Sequence, residues 1–412
     1  MKKVLLSTVA LLSLVASLSA NNPVSAQESS SQATYSKSSG SWIKSGSRWW
    51  YKHSDGSYTT NGWEKINGTW YYFDSEGWMK TGWIKESGNW YYLDDSGAMK
   101  TGWCLVSGSW YYLNTSGVMQ TGLQTIEGKQ YYLSSSGDMQ VGWHNIGDDT
   151  YFFANSGENQ NINRRALVLG ETSTPAVPIA DVNAMENVFS NQNFSEVVRF
   201  PDRTKSDIIA KMQELFESSS ESDVNYLYFT CHGGRDGRIY IGSDGLAFSG
   251  WELASILKQY NGKFVVMLDC CYSGTIINAG KSDEKAVSKS EEVFDEQEFL
   301  AGFSTGDVAS KNGEMLDSKF LVLCASWQEE ESYSTYGGGS LATRYWAMGT
   351  GWNPLQNIKI SPVADVNNNG RVTLDELYQY SYSQVLEVIS RSNKQQHVSV
   401  YPENSQFVLF QK

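Results

Sequence analysis

The sequence predicts a multi-domain protein: an all-β solenoid of hairpins, then an α/β domain whose mainly parallel sheet is flanked by helices. Three observations predict it. The chain has 412 residues, more than one domain needs. Between about residues 60 and 160, aromatic segments recur at a fixed step of twenty. After about residue 160 that repetition stops, and strand-like and helix-like segments alternate.

The chain opens MKKVLLSTVALLSLVASLSANNPVSAQ. Lys2 and Lys3 precede an apolar stretch, and Val24-Ser25-Ala26 supplies small residues for cleavage. This is the pattern of a secretory signal peptide over residues 1–26. Serines interrupt the apolar run, so a membrane anchor is the weaker reading, and no other segment has the length of a span. Residues 27–40 are rich in Ser and Gln and read as a linker. The net charge is −13, falling to −15 once Lys2 and Lys3 are removed. Such a balance argues against nucleic acid as a partner, because phosphate binding needs clustered Lys and Arg. The five cysteines (Cys104, Cys231, Cys270, Cys271, Cys324) are unevenly spaced and make no disulfide framework. The four histidines have no zinc-ligand spacing.

Residues 41–160 carry the repeats. TNGWEKINGTWYYFDSEGWMK, TGWIKESGNWYYLDDSGAMK, TGWCLVSGSWYYLNTSGVMQ, TGLQTIEGKQYYLSSSGDMQ and VGWHNIGDDTYFFANSGENQ align. Trp63, Trp83, Trp103 and Trp143 share one column, and Trp70, Trp90 and Trp110 another. Each unit holds two short aromatic runs separated by a Gly turn, the composition of a β-hairpin. One hairpin cannot bury its own aromatic face, so the units must stack.

Residues 163–412 form the second domain. RRALVLGE reads as a short buried strand, and IADVNAMENVFSN and TKSDIIAKMQELFESS as helices. VNYLYFTCHGG is a strand ending at His232, SGWELASILKQY a helix, and GKFVVMLDCCYSG a further strand. Lys281–Glu298 is charged and poor in apolar residues, as expected of an exposed loop. KFLVLCAS resumes the strand pattern, and LDELYQYSYSQVLEVIS is a late helix.

In such sheets ligands sit beyond the carboxyl ends of the strands. Two neighbouring strands would bring His232 close to Cys270 or Cys271. A thiol is mostly protonated at neutral pH, and a nearby His that stabilises the thiolate makes it a nucleophile. The glycines that follow free backbone N–H groups to face an oxyanion.

YFTCHGG and LDCCYSG together resemble the His-Gly and Asp-x-Cys-x-Ser-Gly signatures of caspase-like cysteine peptidases, a group that includes metacaspases, legumains and clostripain-like enzymes. The resemblance covers roughly residues 163–412. It implies His232 as catalytic histidine, Cys271 as nucleophile, and the N–H groups of Gly233 and Cys271 as the oxyanion hole. Cys270 then points the other way and packs. LVLCASWQEEESYS is similar to the substrate-pocket wall, with Ser326 and Trp327 as its binding residues. In the metacaspase-like branch the residue two before the nucleophile, here Asp269, lines the first substrate pocket and selects Arg or Lys. A turn-capping role is the alternative for Asp269. Metacaspases usually have His where this chain has Tyr272, which leaves the subfamily open. The resemblance also places the 281–298 loop, with Lys281, Lys285 and Lys289, between the two subunit portions. It reads either as a self-cleavage segment or as a solvated insertion.

DVNNNGRVTLDE fits a twelve-residue calcium loop, with Asp365, Asn367, Asn369, Thr373 and Glu376 as oxygen ligands, Arg371 giving its carbonyl, and Gly370 at the turn. Two asparagines lower the ligand charge, so Ca2+ should bind weakly. A structural Asn-Gly turn is the alternative.

The repeats resemble the choline-binding modules of Gram-positive cell walls. Two Trp and a Tyr can cage a quaternary ammonium by cation–π attraction. The resemblance implies the pairs Trp63 with Trp70, Trp83 with Trp90 and Trp103 with Trp110, with Tyr92 and Tyr112 as third walls. The unit at 121–140 has Leu123 and Gln130 instead and should form no cage. Stacked aromatics also bind sugar faces, so a glucan is the other expected partner. The whole chain then reads as a secreted, wall-bound cysteine endopeptidase acting on a peptide or protein substrate. The rival is a wall-bound adhesin with an inert caspase-like domain. A wall amidase lacks support, since no zinc-ligand set or paired-carboxylate motif is present.

Overall fold

The computed structural model describes residues 39–172, 179–275, 318–335 and 339–411. The leader at 1–26, residues 27–38 of the linker, and the loop with Lys281, Lys285 and Lys289 lie outside the described residues. By compactness the chain divides between Lys100 and Thr101.

In the first unit, antiparallel hairpins follow one another: Gly40–Ser45 with Arg48–His53, Gly62–Ile66 with Thr69–Phe73, and Gly82–Glu86 with Asn89–Leu93. The turn residues Asn67 and Gly68 have φ of 49° and 87°. That pair of positive angles is what a two-residue hairpin turn of matching twist demands, which explains the recurrent Gly. Successive units are tied by backbone: the Met99 N–H donates to the Trp70 carbonyl at 2.9 Å. A Cβ at Gly97 would sit 2.3 Å from the Met79 sulfur. The Gly-x-Met pattern is therefore a packing lock, the methionine of one unit lying under the glycine of the next.

The second unit starts with three more hairpins, Gly102–Val106 with Ser109–Leu113, Gly122–Ile126 with Lys129–Leu133, and Gly142–Ile146 with Asp149–Phe153. The last of these packs on the α/β region. Trp143 lies 5.3 Å from Phe407, with the Lys263 ammonium 5.2 Å from its ring. Arg371 Nε donates to Asp149 at 2.6 Å. These contacts explain why the repeats after Lys100 group with the domain that follows them.

The α/β region holds a six-stranded sheet. Its strands are β1 (Arg164–Gly170), β2 (Glu196–Arg199), β3 (Val224–Thr230), β4 (Lys263–Asp269), β5 (Phe320–Cys324) and β6 (Ser399–Tyr401), in the order β2-β1-β3-β4-β5-β6. All pairs are parallel except β5 with β6. Every residue of β3 and β4 is buried, as continuous apolar strands covered on both faces should be. One face packs Tyr226, Tyr228, Val265 and Met267 against the helices Ile179–Ser190 (α1), Leu341–Gly349 (α4) and Leu374–Ile389 (α5). The other packs Leu227, Phe229, Val266 and Leu268 against Lys205–Phe216 (α2) and Gly250–Leu257 (α3). Each large apolar side chain buried in this way stabilises the fold by roughly 1.5–3 kcal/mol.

Candidate active site

The register of β3 and β4 places Thr230 opposite Asp269 at their carboxyl ends. Two residues on, the chain reaches His232 on one strand and Cys271 on the other. Both line a single cavity of about 140 Å³, with Asp181, Asp269, Ser332 and Tyr333 among its other walls. His232 is exposed at the rim and Cys271 is half-buried. The Cys271 thiol lies 3.9 Å from the Ser332 carbonyl oxygen, a sulfur-donor contact. Burial pushes this thiol above its ordinary range, partly countered by a backbone hydrogen bond at Ser332. Cys270 is on the opposite face of its strand, in the core cluster with Cys231, Leu268 and Cys324.

Asp269 forms the floor. It is 4% exposed, accepts from the Ser332 hydroxyl at 2.9 Å and from the Thr343 N–H at 3.1 Å, and also from the Thr343 hydroxyl. A second carboxyl, Asp181 in the first turn of α1, stands beside it and was missed in the sequence. Asp181 is 2% exposed and accepts from the Ser340 N–H at 2.9 Å. Burial and the neighbouring Asp269 carboxyl hold Asp181 well above the usual carboxylate range, and burial raises Asp269 as well. Burial and mutual repulsion disfavour the charged forms of this carboxyl pair, and an entering ammonium or guanidinium would favour them. The only sequence sign of Asp181 is a charge set at a position of α1 otherwise facing the core.

The turn after β4 is held from several sides. Tyr272 has φ of 56°, unusual for a bulky residue, and its N–H donates to the Glu330 carbonyl at 2.7 Å. Ser273 and Ser326 exchange backbone-to-hydroxyl bonds, each 3.2 Å, and the Ser326 hydroxyl donates to the Cys270 carbonyl at 3.2 Å. A Cβ at Gly274 would sit 2.6 Å from the Ser326 carbonyl oxygen, so only glycine fits after the serine. The same contacts show where Ser326 and Trp327, the two residues expected to bind substrate, lie. Ser326 is fully buried as a brace for the turn that carries Cys271, and Trp327 stacks on His397 with centroids 4.3 Å apart. Ser332 and Tyr333, further along the same segment, line the cavity.

In the calcium-like loop, Asp365 accepts from the Asn369 and Gly370 N–H groups at 3.0 Å each. Asn367 Nδ2 reaches Glu376 at 3.1 Å, while the second Glu376 oxygen accepts from the Thr373 N–H at 3.0 Å as a helix capping box. The Arg371 side chain turns away to Asp149. Among the described residues no group of three or more His, Cys, Asp or Glu gathers as a metal set. Asp365, Asn367, Asn369 and Glu376 carry side-chain oxygens on this one segment, the donor chemistry that a weakly held hard cation takes.

Among the repeat residues, Trp63 and Trp83 lie opposite Tyr72 and Tyr92 across their hairpins, and Trp103 lies opposite Tyr112. Those ring pairs are 5.2, 5.1 and 5.3 Å apart. Trp70, Trp90 and Trp110 stand exposed at 41%, 41% and 43%. In the unit at 121–140, Leu123 is half-buried and Gln130 accepts from Asn159 at 2.9 Å.

A family model described as a caspase domain matches residues 163–346. One described as a choline-binding repeat matches residues 60–102, 81–121, 100–139 and 120–163. The chain is similar to CbpJ from Streptococcus pneumoniae TIGR4, with 40% identity over 30% of this chain and 43% of that one, TM-score 0.29. It is similar to the multimodular pneumococcal cell wall endolysin from phage Cp-1 complexed with choline, with 40% identity over 32% and 39%, TM-score 0.25. It is also similar to the choline binding domain of Spr1274 in Streptococcus pneumoniae, with 42% identity over 20% and 95%, TM-score 0.18. The chain spans less than half the length of the first two. A comparison with curated proteins gave no match. No described helix is long and apolar enough to cross a membrane.

Proposed function

We propose, from the premise that this chain joins choline-binding repeats to a caspase domain, that it is a cysteine endopeptidase cleaving after Arg or Lys while held non-covalently on a bacterial cell wall. The observation that carries the reading is the cavity that has Cys271 and His232 at its mouth and the buried carboxyls Asp269 and Asp181 at its floor. The floor favours a cationic side chain of the substrate by charge complementarity. His232 takes the Cys271 proton, and the thiolate attacks the carbonyl that follows the basic residue. The N–H groups of Gly233 and Cys271 receive the oxyanion. The tetrahedral intermediate collapses, His232 gives its proton to the leaving amine, and water hydrolyses the thioester.

The exposed Trp70, Trp90 and Trp110, with the half-buried Trp63, Trp83 and Trp103 and the walls Tyr92 and Tyr112, support a choline-bearing wall polymer as the anchor. Export rests on the leader-like residues 1–26. The 365–376 loop is read as a weak Ca2+ site, on the strength of its donor oxygens.

The test is incubation of the mature protein with fluorogenic Arg, Lys and Asp peptides, beside Cys271→Ala and Cys270→Ala. Arg and Lys peptides should be cut by the parent and by Cys270→Ala, and not by Cys271→Ala. Cleavage of none of them would leave a wall-bound adhesin with an inert domain. Cleavage after Asp alone would overturn the role of the acidic floor.

A further inference from the structure

Gln396 and His397 lie outside the residues matched to the caspase domain, on a segment without regular structure that leads into β6. Gln396 nevertheless contacts the cavity residues Ser332 and Tyr333, and His397 contacts the neighbouring Glu330. The Gln396 side chain is fully buried. Its Nε2 donates to the Ala325 carbonyl at 2.8 Å and reaches the Ser332 hydroxyl at 3.4 Å, and its Oε1 accepts from the Tyr333 N–H at 3.0 Å. One amide thus brackets the two residues that form the cavity wall. Ser332 is the common element: its hydroxyl donates to Asp269, and its carbonyl faces the Cys271 thiol.

His397 holds the adjoining residue. Its N–H donates to Glu330 Oε2 at 2.7 Å, and its ring Nδ1 meets Glu330 Oε1 at 2.6 Å. Trp327 stacks on the imidazole and keeps it in place. The Glu330 carbonyl in turn accepts from the N–H of Tyr272, the residue after the nucleophile.

We propose that Gln396 and His397 are positioning residues: they clamp the 330–333 segment, and through it set both the acidic pocket and the turn that carries Cys271. This rests on the peptidase reading of the same site. Neither residue touches the reacting atoms. Their effect is geometric, and a small misplacement of a pocket wall is costly in a site that must hold a near-attack geometry. Loss of Gln396 also removes the partner of the Tyr333 N–H and that of the buried Ala325 carbonyl.

The experiment compares the full chain with Gln396→Met, His397→Ala and His397→Asn. It reads kcat and KM on an Arg peptide, and the rate of iodoacetamide alkylation at Cys271 by peptide mass. Met keeps the length of Gln without its hydrogen bonds. Asn offers an amide N–H where the imidazole Nδ1 stands. Gln396→Met should raise KM about tenfold with a smaller change in kcat. His397→Ala should shift the alkylation rate by about tenfold, and His397→Asn should return it to within about threefold of the parent. Should Gln396→Met unfold, Gln396→Glu takes its place, since it keeps the bond from Tyr333 and loses the donated ones. Folded variants with parental KM and alkylation rate would overturn the proposal. A parent that alkylates at Cys271 but cuts no peptide would sink the peptidase reading alone, and the alkylation ratios would still decide the clamp.

Discussion

The backbone of Gly233 is packed directly onto that of Cys271: a Cβ at Gly233 would lie 1.8 Å from the Cys271 carbonyl oxygen. The contact is backbone to backbone, so neither partner can rotate away. It brings the residue after His232 against Cys271, as the proposed oxyanion site requires of the two N–H groups.

Gly233→Ala should therefore lower activity by about a hundredfold or more and destabilise the fold by roughly 1–3 kcal/mol, as overpacking does. The neighbouring Gly234→Ala is the control. Its Cβ would meet the Asp236 carboxylate oxygen at 2.3 Å, the end of a side chain that can swing aside. Melting temperatures and peptide turnover for both variants check this. Equal losses would mean that the Gly233 contact is nothing special.

Asp181→Asn should raise KM for Arg and Lys peptides by tenfold or more, at about 1.4 kcal/mol per decade. The same substitution should stabilise the ligand-free protein at neutral pH. The raised Asp181 means that the folded chain binds a proton more tightly than the unfolded chain does. Stability is then highest below the unfolded carboxyl pKa and is lost as pH rises through the raised folded value. Asn removes that loss. Denaturant melts of parent and variant from pH 4 to pH 8 should diverge as pH rises, and parallel curves would count against the buried carboxyl pair.

Alkylation of Cys271 in the resting protein should increase with pH further into the alkaline range than for an exposed thiol, since burial raises it. Cys270, in the core, should stay unlabelled until the protein unfolds. Rapid labelling of Cys271 at pH 6 would mean that the thiolate is already formed before substrate arrives.

Retention on a quaternary-amine resin should weaken with each of Trp70→Ala, Trp90→Ala and Trp110→Ala, by about 0.5–2 kcal/mol apiece. Gln130→Ala should leave it unchanged. Elution by free choline separates this from sugar binding, and retention insensitive to choline would favour a glucan.

Added Ca2+ should raise the melting temperature of the parent, and less so that of Glu376→Gln, because a ligand that binds only the folded state stabilises it. No shift at millimolar Ca2+ would leave the loop as a capped Asn-Gly turn.

The hairpins were legible because their signals are local: Asn67-Gly68 fixes a turn whatever surrounds it, and the Trp columns repeat at a constant step. The strands before His232 and Cys271 were equally readable, being continuous apolar runs that end in polar residues and glycine. Ser332 and Tyr333 were not legible, because sequence shows that a segment follows β5 but not which of its residues line the cavity. Asp181 looked like one acidic residue in an amphipathic helix.

By itself, then, the sequence determined the two kinds of domain, the order of their elements, and the pair His232 and Cys271 at adjacent strand ends. Only the tertiary structure decided what surrounds that pair. Asp181 comes from α1, Ser332 from the loop after β5, and Gln396 from the approach to β6, and the sheet order brings these three distant stretches to the carboxyl ends of the central strands. Turn and strand signals act over a few residues, whereas a buried polar site is closed by partners that sequence distance does not reveal.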